Sequence, residues 1–339
     1  MTLDITKVAS QVGEMVIKIK SGNAELNEHL KCAVNKICDG SANLERLKRK
    51  INSARTQHWS PAGLVEGLSL HYPSSPLPPE YTVLATDGSN IDVDRHQFAH
   101  CYLINISAIA LHYGASPWAE LDSFPRLYAE DKDLVIRNEN NLHQEQQISG
   151  ALLDAKRAVE EILKLAEIGA RLPGDGATLA LLDGSLVMFG MQNYPEFVVQ
   201  ELLDKGLIKA LDLLRNLSSH YMTLASYISL PRSDDVVNAL RVAICPHEPV
   251  DCDRTCLTGK SACDIITGVN DRMLFNNLLG AGERSALFIN PSSIISLRDS
   301  GFRPGKRHKT DCSLFSLQPV SAIAISHRPC WSTGDPMDL

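Results

Sequence analysis

Two copies of one tripeptide constrain this chain more than any other feature. Asp87-Gly88-Ser89 follows the run Tyr81-Thr82-Val83-Leu84-Ala85-Thr86, and Asp183-Gly184-Ser185 follows Ala177-Thr178-Leu179-Ala180-Leu181-Leu182. In each case a short, mostly apolar run with Leu and β-branched residues meets an Asp and then a Gly. That pattern predicts a buried strand carrying a carboxylate to the rim of a sheet, where the backbone turns away at the glycine. One Asp-Gly-Ser alone says little, because Asp-Gly is a common turn dipeptide. Two at strand ends form a constellation. Carboxylates from separate strands can converge on a hard divalent cation, and an oxygen-only site suits Mg²⁺ or Mn²⁺. Two-metal sites of this kind hydrolyse phosphodiesters.

Composition sets the outer limits. A chain of 339 residues, 44% of them hydrophobic, buries a large core as one domain with appendages or as two modest ones. The net charge of −7 excludes a global basic field, so contact with DNA must come from local basic patches or a metal-bridged phosphate. No apolar run reaches the ~18 residues of a membrane span and no signal-peptide pattern opens the chain, so a cytoplasmic protein away from membranes is expected. The nine cysteines are an odd number in a chain too large to need disulfide staples, and are read as reduced thiols.

Along the chain, residues 4 to 57 carry apolar positions at helical spacing, and Gly22 and Asp39-Gly40-Ser41 are expected to break them into antiparallel helices. The cluster Pro73-Ser74-Ser75-Pro76-Leu77-Pro78-Pro79 reads as a rigid linker. The expected organisation is an N-terminal helical region over 1–72, an α/β domain over 80–331 with a cysteine-containing insertion at 245–263, and a disordered tail over 332–339. After Asp87, a polar turn through Asp92, Asp94 and His96 precedes a strand-like stretch from Phe98 to Leu111, a hairpin partner for the first strand. Turn solvation is the expected role of Asp92 and Asp94, and His96 and His100 are read as edge histidines rather than ligands.

Residues 145–169 give the clearest helix, with Ile148, Leu152, Ala155, Val159, Ile162 and Ala166 in one stripe. On it, Glu160 and Glu167 are expected on the solvent side and Glu161 on the flank, where it either leans toward strand-borne carboxylates or stays solvated. A helix over 195–217, a strand over 221–229 and a short helix from Ser233, with Ser233 as N-cap, complete an α/β layout: a mixed sheet flanked by helices, with an N-terminal helical extension. Cys245, Cys252, Cys256 and Cys263 are spaced C-x6-C-x3-C-x6-C. Only the central pair approaches a zinc-ligand interval, so structural metal and plain loop thiols both stand open. Arg272 and Arg284 are candidates for phosphate contact or for pairing with nearby acids. A basic stretch over 298–311 leads into an expected strand pair around 314–325.

Taken together, these residues resemble the NurA nuclease family. The matching pieces are Thr86-Asp87-Gly88-Ser89 with Asp94-Arg95-His96, the Arg157-x3-Glu161 helix, and Leu182-Asp183-Gly184-Ser185-Leu186. Tyr227-Ile228-Ser229-Leu230-Pro231-Arg232-Ser233, Asp271-Arg272-x2-Phe275 and Gly282-Glu283-Arg284-Ser285 extend the match in the expected order. The resemblance implies an RNase H-like core and a Mn²⁺- or Mg²⁺-dependent nuclease of the 5′–3′ exonuclease and single-strand endonuclease type. It also implies a role in DNA end resection and repair, as a homodimer docked on a hexameric HerA-type ATPase. Carried over, Asp87, Glu161 and Asp183 are the acidic metal ligands and catalytic residues, and Arg95, Arg232, Arg272 and Arg284 are candidate DNA contacts. Family members continue into a helix with a Tyr-Pro pair and an Ala-His pair whose His completes the metal site, and this sequence has no such segment. The resemblance therefore admits a second expectation, a weakened homologue that binds DNA or the ATPase without efficient cleavage. Ser89 and Ser185 are read as turn residues and not nucleophiles, since no Gly-x-Ser-x-Gly elbow with a partnered His is present.

Overall fold

The computed structural model describes residues 5–39, 43–56, 59–93, 100–172, 176–186, 188, 190–218, 222–256, 261–289 and 321–322. Asp94, Arg95 and His96, the basic stretch, most of the strand pair expected near 314–325, and the tail over 332–339 lie outside these residues. The chain forms two compact units, one from Met1–Ser75 with Leu230–Leu339 and the other from Pro76–Ser229.

The first unit begins with α1 (Ile5–Cys38) and α2 (Leu44–Ser53), followed by the short strands β1 (Gly63–Leu64) and β2 (His71–Pro73). Gly22 does not break α1. An interior glycine costs a helix only about 1 kcal/mol relative to alanine, and the rest of the run propagates through it. The break comes after Cys38, and Asn43 opens α2 by accepting the Glu45 and Arg46 amides on its side chain.

The second unit runs β3 (Tyr81–Asp92), β4 (Tyr102–Tyr113), β5 (Trp118–Tyr128), β6 (Val135–Asn138), β7 (Asn141–Gln147), α3 (Ala151–Gly169) and β8 (Ala177–Asp183). A helical segment follows as α4 (Glu196–Val199), a π-helical stretch Gln200–Ile208 and α5 (Lys209–Ser218), and then β9 (Met222–Tyr227). The helix expected from about residue 145 starts at Ala151, because residues 141–147 pair with β6 instead. Five strands make one sheet in the order β5-β4-β3-β8-β9. The first three are consecutive and antiparallel, and β8 and β9 add parallel to β3. This is the expected RNase H-like mixed sheet, three meandering strands followed by two that arrive through helical crossovers. α3 lies between the sheet and the π-helical stretch with α5, and Leu84, Ile104, Ala180, Leu152, Leu153 and Leu165 are completely or almost completely buried among them.

The chain then returns to the first unit with α6 (Asp235–Ile244), α7 (Cys252–Thr255), a 3₁₀ turn Ala262–Ile266, α8 (Asp271–Leu278), β10 (Glu283–Ser285), β11 (Phe288–Ile289) and β12 (Ser321–Ala322). Ile37 of α1 and Leu47 and Ile51 of α2 share one core with Leu240, Ile266, Leu274 and Phe288. The cap of α6 differs from the sequence expectation. The N-cap position falls on Asp234, which makes no side-chain cap bond, while the Ser233 hydroxyl accepts the Asp235 amide at 3.1 Å. The Asp271 carboxylate instead accepts the Val237 and Val236 amides at 2.8 and 3.2 Å. A helix end buried against a neighbour can take its cap from that neighbour.

Asp271 is 8% exposed, and burial pushes its carboxyl up to about 6, against the Val237, Val236 and Ser233 hydrogen bonds that favour the charged form. The native state therefore holds this proton more tightly than the unfolded chain, where aspartates titrate near 3.9. The stability this linkage contributes is complete below about pH 4 and is lost as the pH rises through 6. Urea unfolding between those limits should show a decline in the wild type that Asp271→Asn flattens. Asp271→Ala, which orphans two buried amides, should lower the unfolding free energy by about 2–4 kcal/mol.

Candidate active site

β3 and β8 place the two aspartates. The parallel register pairs Ala85 with Leu181 and Thr86 with Leu182, which sets Asp87 level with Asp183 at the point where the pairing ends. Adjacent strands lie about 4.8 Å apart, and level positions share a face. Both aspartates are exposed, on the face opposite the buried Leu84, Thr86 and Leu182 that pack toward α3. Among the described residues neither carboxylate ion-pairs with a lysine or arginine.

The two tripeptides end differently. β8 stops at Asp183, and Gly184 turns with φ +94°, its amide donating to the Tyr227 carbonyl at 2.9 Å. β3 does not turn at Gly88. It continues to Asp92, because β4 pairs with it along the whole length, Asp87 opposite Ser107 and Gly88 opposite Ile106. Gly88 serves the approach of another side chain. A Cβ there would stand 2.4 Å from Glu161 Oε1 and 2.9 Å from Arg157 Cγ.

Glu161 is the third acid, and α3 brings it to that gap. The Thr86 hydroxyl donates to the Glu161 carbonyl at 3.0 Å, fixing helix to strand one residue before Asp87. Arg157, one turn earlier, donates to the Gly88 carbonyl at 2.7 Å and to Glu161 Oε1 at 2.5 Å. Glu161 is only 6% exposed. Burial raises its pKa, the Arg157 charge opposes that shift, and the Asp87 charge adds to it. Arg157 Nε is buried without a hydrogen-bond partner among the described residues. Glu160 departs from its expected solvent position: it accepts the Tyr128 hydroxyl of β5 at 2.6 Å and pairs with Lys156 at 2.8 Å. Because α3 is covered on both sides, its buried surface is broader than one stripe. Glu167 is exposed, as expected, and pairs with Lys164 and Arg171.

Two level carboxylates that form no ion pair among the described residues, and a third carboxylate whose charge is disfavoured where it stands, are a donor set that suits a hard divalent cation. The side chains are not closed on one point as they stand. Among the described residues no three His, Cys, Asp or Glu groups are placed to hold an ion.

Arg232, Arg272 and Arg284 belong to the other unit. Arg232 and Arg272 are exposed, whereas Arg284 stacks on the Tyr72 ring at 4.4 Å and donates to the Ser285 carbonyl at 3.0 Å. Asp92 accepts the Gly150 amide at 3.2 Å, and His100 contacts Gln147 at 3.0 Å. What sequence reasoning missed is that Gly88, with no side chain, leaves room for Glu161 and Arg157 of α3 to pack against β3. The signal available was a glycine beside an acid, which reads equally well as a turn.

Among the described residues no helix is long and apolar enough to cross a membrane. Comparison with curated proteins gives no match. Among solved structures, the chain is similar to LC9-RNase H1, a type 1 RNase H with the type 2 active-site motif, with 9% identity over 49% of this chain and 71% of that one and a TM-score of 0.25. It is also similar to the prototype foamy virus protease–reverse transcriptase, with 11% identity over 50% of this chain and 21% of that one and a TM-score of 0.22. Both likenesses are weak. The model of the NurA domain, by contrast, matches residues 81–314, well over half of the chain, from the first strand of the sheet past both Asp-Gly-Ser motifs and through the returning helices. The chain belongs to the NurA family of nucleases.

Proposed function

We propose that this protein is a divalent-metal-dependent deoxyribonuclease that trims DNA ends, with Asp87, Glu161 and Asp183 as its metal ligands. The observation that carries this reading is the level placement of Asp87 and Asp183 on adjacent parallel strands, with Glu161 of α3 packed against Gly88, the residue that follows Asp87. Asp87 and Asp183 supply exposed oxygens from a rigid sheet, and Glu161 supplies one from a helix tied to the same strand. Arg157 holds Glu161 in position and offsets part of its charge. Mn²⁺ or Mg²⁺ held there would lower the pKa of the attacking water and offset charge on the scissile phosphate and the departing oxygen. Arg95, Arg232, Arg272 and Arg284 are the proposed contacts to the DNA backbone, which carry affinity rather than sequence preference.

The finer assignments follow from the family: 5′–3′ exonuclease and single-strand endonuclease activity, and a role in end resection and repair as a cytoplasmic homodimer with a hexameric HerA-type ATPase. The test is a nuclease assay on linear single- and double-stranded DNA with Mn²⁺, Mg²⁺ or chelator. Digestion that requires the metal and stops with chelator is the expected result. Chelator-resistant digestion overturns the metal role, and metal binding by calorimetry without digestion assigns the protein instead to weakened homologues that bind DNA or the ATPase.

A further inference from the structure

A second cluster of metal-competent side chains lies in the unit that does not carry the three acids. Cys245 follows the end of α6, Cys252 begins α7, Cys256 caps its end, and Cys263 sits in the 3₁₀ turn. All four line one cavity of about 330 Å³, together with His247 and Arg241. These four are almost half of the nine cysteines in the chain, and three separate elements deliver them to one place. Backbone bonds anchor the walls: the Arg55 amide donates to the Val250 carbonyl at 2.9 Å and the Cys252 amide to the Arg55 carbonyl at 3.1 Å. Lys50 Nζ donates to the Cys245 carbonyl, and a reciprocal capping box between Ser261 and Asp264 sets the turn that carries Cys263.

We propose that Cys245, Cys252, Cys256 and Cys263 ligate a structural metal centre through their thiolates. Soft sulfur donors in a set of four suit Zn²⁺ or an iron–sulfur cluster, and neither needs an open coordination position for a structural role. Ligation needs the thiolate form, so binding of the cation would release protons. Arg241 lines the same cavity, and its charge would offset part of the negative charge of a four-thiolate centre. Since no three of these groups meet at one point among the described residues, ligation draws the thiols inward from the cavity wall.

The test is the metal content of the full chain, purified without chelator and without oxygen after growth with added zinc and iron. About one zinc per chain, or about four irons with absorbance near 400 nm, is the expected result, and the two readouts tell which metal is held. The Cys252→Ser/Cys256→Ser double variant should lose the metal, while a Cys32→Ser/Cys38→Ser control retains it. Should the double variant fail to fold, stepwise titration of the wild type with an organomercurial must release the metal in step with mercaptide formation at four thiols. Wild-type protein with neither metal, or metal retained after Cys252 and Cys256 are replaced, overturns the proposal. This outcome is independent of nuclease activity, since the three acids belong to the other unit.

Discussion

Replacing Asp183 with Asn, or Asp87 with Asn, should lower metal-dependent DNA cleavage by ~10²–10³-fold, the scale for removing one preorganised charged group from a reacting centre. Both side chains are exposed at the end of the β3–β8 pairing, so folding should be almost untouched, within about 0.5 kcal/mol by urea unfolding. Asn keeps the shape and removes the charge, which separates ligation from packing. The two variants should differ in one respect. Asp87 raises the pKa of Glu161, so Asp87→Asn should lower the Glu161 pKa, readable by NMR titration. Cleavage that survives both substitutions would sink the assignment of the acids, because no other pair on adjacent strands occupies this position in the sheet.

Gly88→Val should damage both packing and cleavage. Even alanine would place a Cβ 2.4 Å from Glu161 Oε1 and 2.9 Å from Arg157 Cγ. Glu161 is buried and held by Arg157, so moving away would disturb that pair. The expected loss is about 1–3 kcal/mol of stability, as for overpacking elsewhere, together with a fall in cleavage of more than about tenfold as the third acid is displaced. Gly184 makes the contrasting case. A Cβ there meets nothing within 4 Å, and its φ of +94° is the obstacle. Gly184→Ala should therefore cost about 1–2 kcal/mol through backbone strain alone. Thermal unfolding and cleavage assays on both variants check the distinction. If Gly88→Ala keeps full activity and stability, Glu161 does not act from the position described.

The sequence by itself determined the elements whose burial pattern is strong and local. The runs ending at Asp87 and Asp183 and the apolar stripe of α3 have the periodicity of strand and helix, and Glu161, read at the flank of that stripe, lies within the buried surface of α3. Only the tertiary structure decided the rest. β5 is exposed along nearly its whole length and contains Pro125, so it carries no alternating signal, and only its pairing with β4 makes it a strand. The register that sets Asp87 level with Asp183 joins segments far apart in the chain, and local periodicity is blind to register. The same holds for the straight course of β3 through Gly88, the cap lent to α6 by Asp271, and the shared cavity of the four cysteines. Each depends on a partner remote in sequence, whose approach decides whether a glycine is a turn or a packing contact, and whether a carboxylate is solvated or buried.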